Sequence, residues 1–378
     1  MAKKRTITVN RSGQGLGLEL WAYGRKGPGN GFDPGLAEHL EIVQRTVSRA
    51  PEVMVKVTGG GRDAGTAGAH LKYISRNGVL GLNTDQGELV SGKNAHEFIL
   101  EDWGLDMHVG GKNRKDGDRS KPKMVYNIVL SMPEGTPKEA VLSAAKTFAR
   151  ENFAFKHRYA MVLHDPSIDP KYEKTHKGNN PHVHLVVKAV SEEKQRLYVD
   201  REMLRAWREQ FARHLRAIGV EANATPAYLR GKGKSNSNSN IYQHQKRIDD
   251  WETRKKSGLE AGEKPAASTL REKQVQAVIA DIINGVKPDI EQKAKLSSIR
   301  ESVEAEWVGV EKALRAAGKE QDADRVKSFI NSFAPVKTDH ELRKENFDLA
   351  RLRDSIVPSK TTTAQKDKTL NSGKDLSR

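Results

Sequence analysis

The run Pro181-His182-Val183-His184-Leu185-Val186-Val187 leaves little freedom for local structure. On a β-strand, alternate side chains share a face. His182 and His184 therefore project together, while Val183, Leu185 and Val187 project to the other side, where a core can receive them. Two imidazoles separated by about 7 Å along a strand can chelate one ion if a third ligand comes from a neighbour. A second predicted strand, Tyr159-Ala160-Met161-Val162-Leu163, ends at His164. If it pairs beside the first, His164 is placed to be that ligand. A lone His-x-His also fits the polar face of a half-buried strand that binds nothing. The third histidine at a strand end shifts the balance toward a metal.

Three imidazoles would leave coordination positions open for water or a phosphate oxygen, as a catalytic metal requires. Such a shell holds Mn, Zn, Ni or Co more tightly than Mg, although cellular availability favours Mg or Mn. The chain has no cysteine, which excludes thiolate ligands, thiolate catalysis and disulfides. Asp165 and Asp169 lie close to His164. Either one could hydrogen-bond a ligand imidazole or accept a proton, and a solvated loop acid is the plain alternative for Asp165.

Lys and Arg number 65 against 49 Asp and Glu, a formal charge of +16 over 378 residues. A polyanionic partner suits this balance, because each neutralised phosphate releases counterions. No apolar run approaches the roughly 20 residues needed to span a bilayer, so membrane insertion is not expected. The basic start Met1-Ala2-Lys3-Lys4-Arg5 lacks the apolar segment of a secretory signal, and a cytoplasmic origin is expected.

Along the chain, residues 1–50 read as an extension with one helical stretch, Leu36–Ser48. Strands are predicted at Val53–Val57, Met124–Leu130, Tyr159–His164 and Pro181–Val190. Helices are predicted at Gly68–Arg76, from Thr136 (as N-cap, with Pro137 first and Glu139 in the first turn) to Asn152, and at Asp200–Ile218. His108–Lys123 reads as a mobile basic loop. The order suggests an α+β fold, a sheet with helices on one face. This first globular unit, 51–231, is followed by a flexible basic linker, 232–262, carrying the Ser/Asn tract from Ser235 to Asn240. A mostly helical region, 263–358, follows, with apolar residues at helical spacing in Ser268–Gly285, Asp289–Ala317 and Asp322–Phe333. A polar tail, 359–378, is expected to be disordered.

Several of these segments together resemble a known family. Val53–Val57, Gly59-Gly60-Gly61 and Leu71-Lys72-Tyr73-Ile74-Ser75-Arg76-Asn77-Gly78 resemble the first motif of conjugative relaxases of the MobA/VirD-type group, which includes P-type plasmid relaxases and the relaxase that cuts T-DNA borders. Ser131-Met132-Pro133-Glu134-Gly135-Thr136 looks like their second motif. His164-Asp165 with Asn180-Pro181-His182-Val183-His184 looks like their third. Gly219-Val220-Glu221 to Ala224-Thr225-Pro226, with Arg230-Gly231, is similar to the segment that closes their catalytic domain. The likeness covers roughly 51–231. It departs in the longer polar loop between His164 and the histidine pair, and in Lys188, where relatives often carry Asn.

The resemblance implies a fold of the HUH endonuclease type, an antiparallel sheet with flanking helices, and assigns roles that spacing alone does not. Eight tyrosines are present, and it singles out Tyr73 as a nucleophile forming a 5′-phosphotyrosine. His164, His182 and His184 would hold a divalent metal, Ser131 would lie against DNA near the scissile phosphate, and Asp165 would support a histidine or move a proton. The implied activity is nicking and resealing of one strand at a transfer origin, with single-stranded or melted DNA as substrate. Accessory DNA-processing proteins and a type IV secretion coupling protein would be partners, and the protein would be exported with the DNA. Candidate DNA contacts are Arg62, Arg76, Lys112, Arg114, Lys115, Arg119, Arg158, Arg230 and Lys232, each of which could instead be an ordinary surface charge. No phosphate-binding Gly-x-x-x-x-Gly-Lys-Ser/Thr run is present, so no nucleotide cofactor is expected. The rivals are a rolling-circle replication initiator, a hydrolytic nuclease and a DNA-binding protein without catalysis.

Overall fold

The computed structural model describes residues 36–105, 122–165, 180–232, 239–260, 262–263, 265 and 270–356. The basic loop expected around Lys112, Arg114, Lys115 and Arg119, the acid Asp169, residues 235–238 of the Ser/Asn tract and the C-terminal tail lie outside them. The chain divides into two compact units. One comprises 1–231 together with 303–333, and the other 232–302 with 334–378.

The first unit is built on a six-stranded sheet. Its strands are β1 (Met54–Gly59), β2 (Leu82–Thr84), β3 (Leu89–Val90), β4 (Val125–Ser131), β5 (Tyr159–His164) and β6 (His182–Lys188), in the spatial order β1-β4-β6-β5-β2-β3. Every neighbouring pair is antiparallel. β5 and β6 form as the alternation predicts. The short β2–β3 hairpin does not show as alternation in the sequence, because two or three residues per strand carry too little pattern.

Helices cover both faces, not one. On one face α4 (Lys138–Phe153) and α5 (Arg201–Ala217) pack over Val55, Ile128, Leu130, Met161, Val183, Leu185 and Val187. Phe148 sits at the centre of this layer, with edge-to-face ring contacts to Phe153, Trp207 and Phe211 at 6.1, 5.9 and 6.5 Å. On the other face α2 (Ala64–Ile74) and α3 (Ala95–Asp102) lay Ala67, Leu71, Ile74, Ile99 and Trp103 over Val125, Ala160, Val162 and Val186. The antiparallel sheet with flanking helices that the resemblance implies is found; the narrower reading of helices on one face does not hold, because Val125, Ala160, Val162 and Val186, on the same face as the histidines, are apolar and need cover too.

Two helix starts differ from their sequence reading. α2 begins at Ala64, four residues before the predicted start, because Asp63 and Thr66 form a capping box. Asp63 accepts from the Thr66 amide at 2.7 Å, and the Thr66 hydroxyl accepts from the Asp63 amide at 3.3 Å. Thr136 is not the cap of α4. Its hydroxyl donates to the Pro133 carbonyl at 2.8 Å and closes the preceding turn, leaving Pro137 at the cap. Asp200, by contrast, caps α5 by accepting from the Met203 amide at 2.7 Å.

The same unit carries a small third core. α1 (Leu36–Val47) contributes Val43, and the turn Tyr228–Arg230 contributes Leu229. The part of α8 (Ile290–Ala316) from Val303 onward contributes Val303, Trp307, Val310 and Leu314, and α9 (Glu320–Asn331) contributes Ala323, Val326 and Phe329. The Trp307 indole N–H donates to the Leu229 carbonyl at 2.7 Å. Of the N-terminal extension, α1 is thus packed into this unit, with the Gln44 amide on the Asp322 carboxylate at 3.1 Å.

The second unit holds α6 (Ser239–Lys256), α7 (Leu270–Ile283), the start of α8 and α10 (Asp339–Ile356). α6 occupies residues expected as linker; its mixed polar composition carries little periodic apolar signal. Lys293 and Glu341 form an ion pair there. No helix among the described residues is long and apolar enough to cross a membrane.

Replacing Phe148 by Ala should cost roughly 3–5 kcal/mol of stability, the range for emptying a buried aromatic site. Chemical denaturation of the purified chain measures this, and a loss below about 1 kcal/mol would mean that the layer repacks freely.

Candidate metal centre

Sheet register brings the three histidines together. In the β5–β6 pair, His164 lies directly opposite His182, and Val162 lies opposite His184. Partners across an antiparallel pair share a face, so all three imidazoles project to the α2 side. Their ring centroids are 5.1 Å (His164–His182), 4.5 Å (His164–His184) and 5.2 Å (His182–His184) apart. One nitrogen of each lies within 4.8 Å of the others. Nitrogens on one ion at ~2.1 Å can be at most ~4.2 Å apart, so small side-chain rotations bring all three onto a common ion.

The second nitrogen of each ring has a partner of its own. His164 Nε2 donates to the Ile74 carbonyl at 2.6 Å. His182 Nδ1 donates to the Asn180 carbonyl at 2.9 Å. His184 Nδ1 lies 3.4 Å from the Asn127 carboxamide. These contacts leave Nδ1 of His164 and Nε2 of the other two as lone-pair donors, the arrangement by which oxygen acceptors orient metal-binding imidazoles. Burial, followed by the neighbouring His164, His182, His70 and Arg76, pushes His184 down to about 2, so this ring is neutral at pH 7 and its lone pair is available. The donor set therefore fits a divalent cation.

α2 ends on this cluster. The last carbonyls of a helix lack intrahelical partners. Here Ile74 finds His164, and the Tyr73 carbonyl accepts from Arg76 Nη1 at 2.8 Å. Beyond the helix the chain turns through Arg76, Asn77 and Gly78, at φ 53, 57 and 83°. A left-handed arginine is unfavourable, and its side chain is what the turn positions. Arg76 is buried, its guanidinium 5.0 Å from the Tyr73 ring centroid and its Nη2 3.2 Å from His164 Nδ1. Gly78 is required: a Cβ there would meet the Gly92 carbonyl oxygen at 1.8 Å. Tyr73 itself is 52 % exposed, on the helix whose end meets the cluster.

The other sequence candidates fall in varied places. Ser131 pairs opposite His182 on β4, on the histidine face. It is buried, and its hydroxyl donates to the Pro181 carbonyl at 3.3 Å. Asp165 is buried and bonded to Lys138 Nζ at 2.6 Å; this contact raises the Lys138 ammonium above its ordinary value. Arg76 lies inside the cluster's contacts and not on an open surface. Arg230 is paired with Glu52 at 3.2 Å, and Arg158 with Asp85 at 2.8 Å and with Asp102. Arg62 is half-buried beside Lys123, and its charge, after burial, helps to lower the Lys123 ammonium. Lys232 is exposed.

Sequence reasoning gave no role to His70 or Asn127. His70 is one turn before Tyr73 on α2, with a buried Nε2 that has no hydrogen-bond partner among the described residues. Its i, i+3 spacing from Tyr73 was the available signal. Asn127 was hidden, because only the register places it near His184.

A comparison with protein families decides what kind of unit this is. Residues 82–220 match the model of the family described as relaxase, MobA/VirD2-like, nuclease domain. This segment is similar to that family's nuclease domain. It contains all three histidines, Ser131 and Asp165, and the likeness supports a relaxase nuclease domain of the HUH type, a family whose activity is DNA cleavage. The match begins after α2, so Tyr73 and Arg76 lie just outside it. No curated protein and no solved structure gives a match.

Replacing His182 by Ala, which removes one of three donors, should weaken Mn²⁺ binding by tenfold or more in isothermal titration calorimetry. Unchanged affinity would show that the ion, if bound, sits elsewhere.

Proposed function

We propose that this chain is a conjugative relaxase that nicks one DNA strand at a transfer origin by attack of the Tyr73 phenol. The observation that carries this reading is the docking of α2. The helix bearing an exposed tyrosine ends on a histidine of the cluster, which supports reading the phenol and the cluster as one site.

The reaction proposed is transesterification. A phenol is a weak nucleophile at neutral pH, because its ordinary pKa is about 10. A divalent cation held by His164, His182 and His184 would draw charge onto the non-bridging oxygens of the scissile phosphate. The Tyr73 oxygen forms the new bond to phosphorus and gives up its proton. The bond to the 3′-oxygen breaks, and that oxygen takes up a proton. No water is consumed, so the phosphodiester energy is kept in the 5′-phosphotyrosine and the strand can be resealed. Arg76 would hold positive charge beside the phenol, and the Asp165–Lys138 pair would steady the loop that follows His164.

The sheet supports a path for a single strand. α2 covers the β5–β6–β2 part of the histidine face, whereas Met54 and Lys56 on the edge strand β1 are exposed on the same face, opposite Ser131 and Val129. An apolar side chain next to a cation suits stacked bases and their phosphates. A rolling-circle initiator with paired tyrosines is disfavoured, because positions 76 and 77, three and four after Tyr73, are Arg and Asn. Export with the DNA, a coupling protein as partner and Mg or Mn as the working ion complete the proposal by analogy with the family.

Full-length protein incubated with Mn²⁺ and end-labelled single-stranded origin DNA should give a covalent adduct on a denaturing gel. A chelator should abolish it, and Tyr73→Phe should reduce it at least a thousandfold while DNA binding persists. Adduct formation unchanged in Tyr73→Phe would remove this tyrosine from the mechanism, and cleavage without any adduct would indicate hydrolysis.

A further inference from the structure

The contacts of Arg76 carry a consequence for how the site is loaded. His164 has two ring nitrogens, and Nε2 is committed to the Ile74 carbonyl at 2.6 Å. Only Nδ1 can accept an ion without undocking α2. That same nitrogen lies 3.2 Å from Arg76 Nη2, a permanent donor that must be met by a lone pair. One lone pair cannot serve both a guanidinium N–H and an ion. In addition, a guanidinium in contact with a ligand ring is a cation beside a second cation, in a place where Arg76 is only 8 % exposed and water screens little.

We propose that Arg76 competes with the metal for Nδ1 of His164, so that metal loading frees the guanidinium on the Tyr73 side of the cluster. This rests on the reading of the three histidines as a metal site. The released group has a defined destination. Nη1 is already bonded to the Tyr73 carbonyl at 2.8 Å, and the guanidinium carbon is 5.0 Å from the centroid of the Tyr73 ring. The backbone at φ 53°, followed by Asn77 at 57° and Gly78 at 83°, holds the base of the side chain in place, so the head can pivot but not leave. A cation turned from His164 toward the phenol would meet the phosphate that Tyr73 attacks. Arg76 is thus a positioning residue that links occupation of the cluster to the state of the nucleophile, and it keeps that charge satisfied while the cluster is without an ion.

The test uses the full chain and metal alone. Co²⁺ binding, followed by its visible absorption, should be at least tenfold tighter in Arg76→Gln than in the wild type. It should also be tighter in Arg76→Lys, which keeps the charge but loses the planar donor pair. If Arg76→Lys binds as the wild type does, the effect is long-range charge and the competition is refuted. Weaker binding in both variants with an intact circular dichroism spectrum would mean that Arg76 supports the site, which also overturns the proposal. Should the variants fail to fold, the wild type decides. With ¹⁵N-arginine labelling, the slowly exchanging guanidinium signal that is shifted by the His164 ring should move on saturation with Zn²⁺. A signal unmoved at saturation refutes the competition while leaving the metal site standing. Failure of Co²⁺ to bind the wild type, or binding unaltered by His182→Ala, overturns the metal reading and this inference together.

Discussion

The hydrogen bond from His164 Nε2 to the Ile74 carbonyl joins the two halves of the site. It does three things at once. It satisfies a helix-terminal carbonyl that has no partner in its own helix, it fixes the tautomer of a ring whose other nitrogen faces two further imidazoles, and it sets the end of α2 against β5. Without it, the sheet would still align three histidines and α2 would still bury Ala67, Leu71 and Ile74, leaving Arg76 as the remaining bridge between the end of α2 and His164. At 2.6 Å between buried atoms, it is a contact that water cannot easily replace.

Much of this was readable in the residues, and the reason is periodicity. The alternation over His182–Val187 gave both faces of β6 correctly, with Val183, Leu185 and Val187 in the core and the histidines opposite. β5 followed from its own apolar run and ended at His164. What stayed hidden involves distance along the chain. The inward position of Arg76 depends on a left-handed turn that a basic residue does not announce, so it read as one more surface cation. Asn127 acquires meaning only through the pairing of β4 with β6, which sets it opposite Val186. Arg158 and Arg230 looked like DNA contacts by charge alone, yet each is spent on carboxylates from distant segments. Charge counts cannot show whether a partner is already present within the fold.

The family match and the physical site do not have the same borders. The matched residues, 82–220, hold the three clustered histidines, while α2, which carries Tyr73, lies before them and the third core draws in residues up to Phe333. The geometric unit is defined by what is buried together, and by that measure α2 is as integral as β6. Leu71 and Ile74 are fully buried against the sheet face that carries the histidines.

The discontinuity of the first unit also bears on how the chain acquires its structure. Trp307 closes on the carbonyl of Leu229 across 78 residues, so the strands can pair while that partner is still being synthesised. At roughly 5–20 residues per second, the Leu229 turn waits about 4–16 s for its cover, and the apolar side of α1 waits longer still. During that interval a nascent protein would present Val43 and Leu229 to whatever else is nearby, and a chaperone would find its most natural hold at this late-closing seam and not at the sheet.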